Sequence, residues 1–455
     1  MSLNLNPYTD AFRALPDGIA WAEVNADWRE DLSASVADGR QASCESLART
    51  AVYLRVSDGQ RTGMVYTEQL EEDPLALMKI ALENARFVDA DSAEQPPPAG
   101  GVHLGEILDE SDMPDMVAAG IALEAAALAA GAAVQDCDIR RTTQMRKVAA
   151  SSGLESSLTH RYFMATLRVE LPRENGKRVH ATASASAPCL RDIDLAALAQ
   201  SVIAKADRSD ASGTLSQVSI PSGKYPCVLS AEAVGDIMIT AWQEFTAANM
   251  GGGKSIFQAA PGTEIGSPCL SIVDGPTHPD WGYNLALDSE GNPCTHKDIV
   301  RNGRLVTPLH TRKTAADSGL APTGNAGRVA LLSGMVPVNI ITIPSILYIE
   351  PQTATEAQLV AQMGSGLLLT YALDPFHAIN ITSGEYSIPC GGVLYEDGRP
   401  VGTVAQITIA GNLRDLFCDI RAVGGDLRLH EFHYKNYCFG GPSILVGGLN
   451  VSSDG

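Results

Sequence analysis

The stretch 231–249 constrains the fold most, because Val234, Ile237, Met238, Ala241, Trp242 and Phe245 recur at i, i+3, i+4, i+7, i+8 and i+11. That spacing makes one apolar stripe of a long helix. Ser230 is placed to cap its first turn, and Gly251-Gly252-Gly253 ends it. Around this helix, the second half of the chain is a succession of short apolar runs punctuated by Gly and Pro, which reads as strands. The exception is a helix near Glu356 to Met363, and Asp397-Gly398 marks a hairpin. One major helix set among many strands predicts a largely antiparallel, barrel-like β domain.

The first half has a different rhythm. From Gly18 to about Gly63 it reads as extended pieces, with Asp38-Gly39 and Asp58-Gly59 as hairpin turns and Ala51 to Val56 as the clearest strand. Pro74 opens a helix in which Leu75, Met78, Leu82 and Ala85 share a face that should lie on the sheet. An Ala-rich helix follows, about Met113 to Ala133, then strands through Tyr162 to Val169, then a helix from about Leu195 to Asp207. The chain of 455 residues is too long for one core, and the polar stretch Asp207 to Ser222 is the natural boundary. The expectation is an α+β protein of two domains: an N-terminal mixed α/β sandwich over 1–215, with helices on a sheet, and a β-rich C-terminal domain over 216–455.

Lys and Arg number 33 against 53 Asp and Glu, a net charge of −20. Such a surface repels phosphate backbones and anionic headgroups, which argues against nucleic acid and membranes as partners. Val117 to Val134 is Ala-rich with Glu124 at its centre, so it reads as an ordinary helix and not a span. Val329 to Ile349 carries no formal charge, but Gly334, Pro337 and Pro344 break it into short buried strands. The nine cysteines are scattered, odd in number and lack a C-x-x-C pair, which fits reduced thiols and a cytoplasmic protein. The first residues, MSLNLNPYTDAF, show neither the basic nor the apolar region of a secretory signal.

A search for chemistry finds little. No G-x-S-x-G is present, and Gly251 to Ser255 lacks the first glycine of a phosphate-binding loop, because Ala248 stands there. A zinc peptidase helix carries two His and a Glu, since neutral imidazoles hold the metal and the carboxylate takes a proton from its water. Neither H-E-x-x-H nor H-E-x-x-x-H occurs. The nearest grouping is His430-Glu431-Phe432-His433 with Cys438 nearby; a polar edge strand explains it better than a metal site. Asp274, Asp288 and Glu290 lie around a turn. Asp288 and Glu290 would share a strand face and suit acid/base work, but a turn satisfying its own backbone donors is the preferred reading. His278, His296, His310 and His377 are isolated and read as structural.

Several segments, in order along nearly the whole chain, resemble the TldD/PmbA family, whose members pair as subunits of a zinc-dependent peptidase. They are Arg61 to Thr67 before the Pro74 helix, Ser151-Ser152-Gly153-Leu154, Ile272 to Gly275, Asp288 to Gly291, Arg301 to Leu305, Thr323 to Arg328, Thr408 to Leu413 and Pro442 to Val446. In TldD-type subunits a strand resembling Pro226 to Leu229 leads into a helix bearing H-E-x-x-x-H. Laid on this chain without gaps, those three positions fall on Ile239, Thr240 and Glu244, and 231–249 contains no His.

The chain therefore resembles the TldE/PmbA-type subunit, which lacks the metal. The resemblance implies no catalytic residue and no cofactor in this chain, with zinc in a TldD-like, H-E-x-x-x-H-containing partner of a heterodimer. It further implies a short or unfolded peptide as substrate, cut in an enclosed channel, for example in maturation of a modified peptide. Thr323, Gly324, Asn325 and Arg328 are the peptide-binding candidates, since a Gly-Asn turn exposes backbone donors and Arg meets carboxylates. Two alternatives stay open: a peptide-binding escort without proteolysis, and an independent hydrolase using Asp288, Glu290 or the region of His430 and His433.

Overall fold

The computed structural model describes residues 3–88, 94–105, 108–172, 178–279, 281–328, 339–431 and 437–453. They form two compact units, neither of them a continuous stretch. The first is Met1–Asp210 with Pro276–Cys294 and Ala316–Ile340, and the second is Ala211–Gly275, Thr295–Ala315 and Ile341–Gly455. The boundary expected at residue 215 thus falls a few residues earlier, and two excursions expected in the second domain belong to the first unit. The fold class is α+β, as the sequence predicts.

In the first unit, α1 (Asn6–Phe12) precedes β1 (Trp21–Ala37), β2 (Arg40–Ser57) and β3 (Thr62–Thr67). The β1–β2 turn holds Asp38 and Gly39 at φ 56° and 68°, the left-handed pair that a tight hairpin needs. α2 (Pro74–Ala85) and β4 (His103–Gly105) lead to α3 (Met113–Ala129), then β5 (Ala133–Ala150), β6 (Glu155–Pro172), β7 (Arg178–Ala187) and α4 (Leu195–Thr214). The sheet order is β3-β2-β1-β5-β6-β4, with β7 also on β6.

Even-numbered residues of β1 face the helices: Ala22, Val24, Ala26 and Trp28 meet α1 and α2, while Ala34 and Val36 meet α3 and α4. Glu124, the lone acid in the Ala-rich α3, is explained by the hairpin: its carboxylate accepts from Asp38 N at 2.9 Å and Gly39 N at 2.8 Å. α4 runs on to Thr214, so part of the stretch assigned as a linker is helical.

In the second unit, β8 (Gly223–Leu229) enters α5 (Ala231–Ala241), a 3₁₀ turn (Trp242–Phe245) and α6 (Ala247–Gly251). Strands β9 (Ile272–Gly275), β10 (Lys297–Arg301) and β11 (Arg304–Leu305) follow, then α7 (Arg312–Asp317) and, after the excursion to the first unit that holds β12 (Ala326–Arg328), β13 (Ile340–Thr342). Next come β14 (Ile346–Ile349), α8 (Glu356–Met363), β15 (Gly366–Ala372), α9 (Pro375–Ala378), β16 (Glu385–Glu396) and β17 (Arg399–Asn412). The chain ends with α10 (Leu413–Cys418), β18 (Ile420–Val423), β19 (Arg428–Glu431), β20 (Cys438–Gly441) and β21 (Ile444–Ser453).

β17-β16-β15-β8-β21 closes into a five-stranded barrel because β21 also pairs β17. Closure removes sheet edges, and α8 covers an apolar patch of the barrel made by Val228, Leu368 and Leu445. A second sheet runs β11-β10-β9-β14-β20-β19, and α5 packs against β20 and β19 on one side and β15 on the other. Of the uncharged run Val329 to Ile349, residues 339–349 hold β13 and β14, as expected, and 329–338 lie outside the described residues. No helix among the described residues is long and apolar enough to cross a membrane.

Candidate functional site

The apolar stripe of 231–249 is buried as its spacing predicts, yet the segment is not one helix. Ser230 caps α5, its hydroxyl accepting from Ala233 N at 3.2 Å. After Ala241 the backbone tightens into the 3₁₀ turn, and Thr246 takes an extended conformation, φ −88° and ψ 133°. Thr246 has β propensity and its hydroxyl caps α6 by accepting from Asn249 N at 3.3 Å, so it ends one helix and starts another. Gly235 on α5 is required by its neighbour: a Cβ there would stand 2.3 Å from His430 Nε2. The His430 ring in turn stacks on Phe439 with centroids 6.1 Å apart, and Trp242 meets the Tyr437 ring edge-on at 5.4 Å. β19 is the outermost described strand of its sheet, so His430 lies on a polar edge strand; His433 falls outside the described residues. Cys438 is buried on β20, and all nine cysteines are free thiols.

Ile239, Thr240 and Glu244 occupy the end of α5 and the 3₁₀ turn. Ile239 presents an alkyl chain, and its carbonyl accepts from Trp242 Nε1 at 3.1 Å. Thr240 is buried, and its hydroxyl has no hydrogen-bond partner among the described residues. Glu244 is fully buried; Oε2 accepts from Ile256 N at 2.9 Å, while Oε1 has no partner among the described residues. Burial pushes its pKa up to about 7, only partly opposed by Ser255, the Ile256 N–H and the Arg414 charge.

The excursion Pro276–Cys294 creates a second polar centre inside the first unit. The odd-numbered face of β1, opposite the helices, is polar but buried: Glu23 and Asn25 are 1% and 0% exposed. The excursion covers that face through hydrogen bonds, since Asn25 Nδ2 donates to Ser289 O at 2.6 Å and Ser156 Oγ to Gly291 O at 2.8 Å. Arg146 Nη1 adds a bond to Leu287 O at 2.9 Å. Arg55 sits at its heart, pairing with Glu23 at 3.0 Å, Glu94 at 2.9 Å and Glu290 at 3.4 Å. Burial alone would lower the guanidinium pKa, but the three carboxylates more than offset it and hold it above its usual range.

Asp288 accepts from Glu290 N at 2.9 Å, Asn292 N at 2.8 Å and Ala326 N at 3.1 Å. Burial pushes its carboxyl up even against these donors. The carboxylates weighed for acid/base work are therefore held in a turn and an ion-pair network, and do not share a strand face.

Thr323, Gly324, Asn325 and Arg328 fall together in the first unit. Thr323 Oγ1 donates to Asn325 Oδ1 at 2.7 Å, and Gly324 has φ 72° with its Cα pressed on Cys294, where a Cβ would meet Cα at 2.5 Å. Gly324 and Asn325 are buried and Thr323 is partly buried, while Arg328 is partly buried with its guanidinium Nε and one Nη inside the protein. Arg328 lies over the Tyr53 ring at 4.2 Å, and burial together with Arg55 pushes its pKa down to about 10. Of the isolated histidines, His377 Nδ1 is 2.7 Å from Asp374 Oδ1 and His296 Nδ1 is 3.4 Å from Asp274 O. His310 is buried, which lowers its pKa. Glu23, Asn25, Glu94 and Arg146 were not singled out by sequence. The available signal was Arg55, a lone charge between Leu54 and Val56 in an otherwise apolar strand run.

A family model for the PmbA/TldA metallopeptidase C-terminal domain matches residues 222–453, half the chain, including the barrel, α5 and the 3₁₀ turn. The chain belongs to the PmbA/TldD metallopeptidase family. Among similar sequences, a metalloprotease PmbA homologue of Haemophilus influenzae is 33% identical over 168 residues, 37% of this chain and 32% of that protein. Metalloprotease PmbA of Escherichia coli O157:H7 is 31% identical over 153 residues, 33% of this chain and 30% of that one. The matched stretches thus span about a third of these relatives' length. Among solved structures, TldE from Thermococcus kodakarensis superposes with a TM-score of 0.76 at 16% identity, covering 99% of both chains. A protein of Thermotoga maritima, described as a proposed modulator of a DNA gyrase, gives 0.77 at 23% identity with the same coverage. Both likenesses establish the fold.

Membership of a metallopeptidase family implies a metal, and the donors at 239, 240 and 244 do not fit one. An alkyl chain, a hydroxyl and a single carboxylate held by a backbone N–H cannot replace two imidazoles and a base. Among the described residues no three His, Cys, Asp or Glu side chains are grouped to hold a metal ion.

Proposed function

We propose that this chain is the TldE-like, non-catalytic subunit of a two-chain zinc peptidase whose partner carries H-E-x-x-x-H. The observation that carries this reading is the donor set at the end of α5, Ile239, Thr240 and Glu244, in a domain whose family is metallopeptidase. The partner supplies the zinc and the hydrolytic chemistry. This chain contributes walls and strand edges against which a short or unfolded peptide lies extended, in the cytoplasm, where its nine free thiols stay reduced. Of the peptide-binding candidates Thr323, Gly324, Asn325 and Arg328, Thr323 is the one whose side chain we propose meets the peptide directly, since Gly324 and Asn325 are buried and the Arg328 guanidinium lies against Tyr53. Maturation of a modified peptide is the role that such a confined site suits.

Co-expression with an H-E-x-x-x-H family member tests this. The two chains should co-purify one to one, and peptide cleavage should appear in the mixture and be absent from this chain alone. Cleavage of the same peptides by the isolated chain, or failure of the two to associate, would contradict it.

A further inference from the structure

The segment between α6 and β9 carries no helix or strand, and its middle is held by few contacts. Lys254 N donates to Asn249 O at 2.8 Å and Gly262 N to Leu305 O at 2.7 Å, which ties down the two ends of 255–261. Between those ties, the hydrogen bonds to neighbouring elements run to two residues, Glu244 and Arg414. Glu244 Oε2 accepts from Ile256 N at 2.9 Å, Arg414 donates to Ile256 O, and Ser255 Oγ donates to the backbone Glu244 O at 2.9 Å. The Ile256 residue is thus gripped at both its N–H and its carbonyl. Ser255 and Phe257 are 0% exposed, and the Phe257 ring meets Phe245 at 5.8 Å and Phe417 at 6.1 Å, with Arg414 5.4 Å above it. Residues 251–254 and 260–264, by contrast, are exposed. Gly253 and Gly262, at φ 68° and 91°, flank the segment and give its ends a backbone freedom that other residues lack.

We propose that 255–261 is a flap over Glu244, held shut while that carboxyl is protonated and loosened when it ionises. The proposal does not depend on the two-chain reading, since every group it uses lies in the second unit of this chain. Glu244 is the fixed side of the contact, because Phe245 O accepts from Leu309 N and Leu309 O from Ala247 N, both at 2.9 Å. The flap is the side that moves. Under the closed flap an ionised carboxylate has one backbone donor for its two oxygens, with Oε1 lacking a partner among the described residues. A buried carboxylate oxygen in that condition is costly, and lifting the flap lets water reach it. The degenerate metal position is therefore sealed at low pH and reached by solvent more often at neutral pH and above, while burial of Phe257 keeps the closed form the ground state at either charge.

The titratable and charged groups on the elements around Glu244 are Lys254 beside the flap, Arg414, Asp415 and Cys418 on α10, and His310 and Arg312 after Leu309. Arg414 is the one whose charge bears on Glu244, favouring its ionisation, and burial lowers the pKa of His310 and so disfavours its charge. Glu244 has a pKa of about 7 under the flap, against 4.5 once water reaches it. The closed form is therefore fully stabilised below pH 4.5 and loses that stability as pH rises to 7.

Hydrogen exchange of the full chain tests this, read by mass spectrometry on peptides covering 252–262 and corrected for the pH dependence of intrinsic exchange. The opening constant of the flap should rise about thirtyfold between pH 5.5 and 8.5, levelling off above about pH 7.5. In Glu244→Gln it should not change with pH. Arg414→Met should raise it at every pH by removing one grip on Ile256, and should move the levelling to higher pH by removing a charge that favours ionisation. At every pH the flap should open at least about a hundredfold more readily than β15 and β16, whose exchange reports unfolding of the whole unit. A parent opening constant that ignores pH, the parent's pH profile retained in Glu244→Gln, or opening constants equal to those of β15 and β16 would overturn the proposal, the last because the segment would then move only when the unit unfolds.

Discussion

Glu244→Gln is expected to make the protein more stable above pH 7 while leaving it unchanged near pH 4.5. Burial raises the Glu244 pKa to about 7 in the folded chain, against about 4.5 when unfolded. Between those values the folded state holds a proton that the unfolded state has lost, so stability falls as pH rises from 4.5. Above pH 7 both states are ionised and the full penalty remains. Glutamine cannot ionise and can still accept the Ile256 N–H bond through its carbonyl oxygen. The gain at pH 8 is about 1–3 kcal/mol, the lower figure allowing for an amide with no partner at the Oε1 position. Thermal melting of parent and variant across pH 4.5–8 measures it. A difference that stays flat with pH would show that Glu244 titrates alike in the folded and unfolded chain, contrary to the effect of its burial.

Arg55→Met is expected to weaken the first unit by about 3–5 kcal/mol, because it strands carboxylates that cannot reach water. Glu23 and Glu290 are each 1% exposed and Arg55 is 4% exposed, so solvent offers little screening. The same substitution also removes the guanidinium that lies 5.7 Å over the Trp21 ring. Adding Glu23→Gln and Glu290→Gln to Arg55→Met should recover a good part of the loss, since the buried charges then disappear together. Urea unfolding followed by tryptophan fluorescence in a Trp242→Phe background reads the first unit, which holds Trp21, Trp28 and Trp281. An Arg55→Met variant within 1 kcal/mol of the parent would mean that the pairs are not buried in solution.

Local signals were legible where a residue type has one structural use. Asp38-Gly39 and Asp397-Gly398 turn hairpins because their residues adopt positive φ, and Thr355 with Gln358 closes a capping box where the helix at 356–363 was expected. The stripe on 231–249 is buried residue for residue, but the break at 242–246 is invisible to periodicity: a 3₁₀ turn keeps Trp242 and Phe245 inward just as an α-helix would. The polar centre was hidden for a related reason. Trp21 to Trp28 alternates apolar and polar, the pattern of a strand with one wet face, and only the excursion Pro276–Cys294 makes that second face an interior. Nothing local in GPTHPDWGYNLALDSEGNPC says that it returns to the first unit, since the partners of Ser289 and Gly291 are Asn25 and Ser156, far away in sequence.

The family resemblance was legible through order and spacing, and the donor set at the end of α5 is explicit in sequence. The structure adds that position 244 lies on a 3₁₀ turn, outside the α-helical frame that would set two ligands on one face.

The most direct test is zinc content, by mass spectrometry of the isolated chain after dialysis against a weak chelator and re-supply of one equivalent of zinc. The expected result is less than about one zinc in ten chains, because an alkyl group, a hydroxyl and one carboxylate bind the ion weakly. One tightly held zinc per chain, lost on substitution of Glu244, would contradict the account.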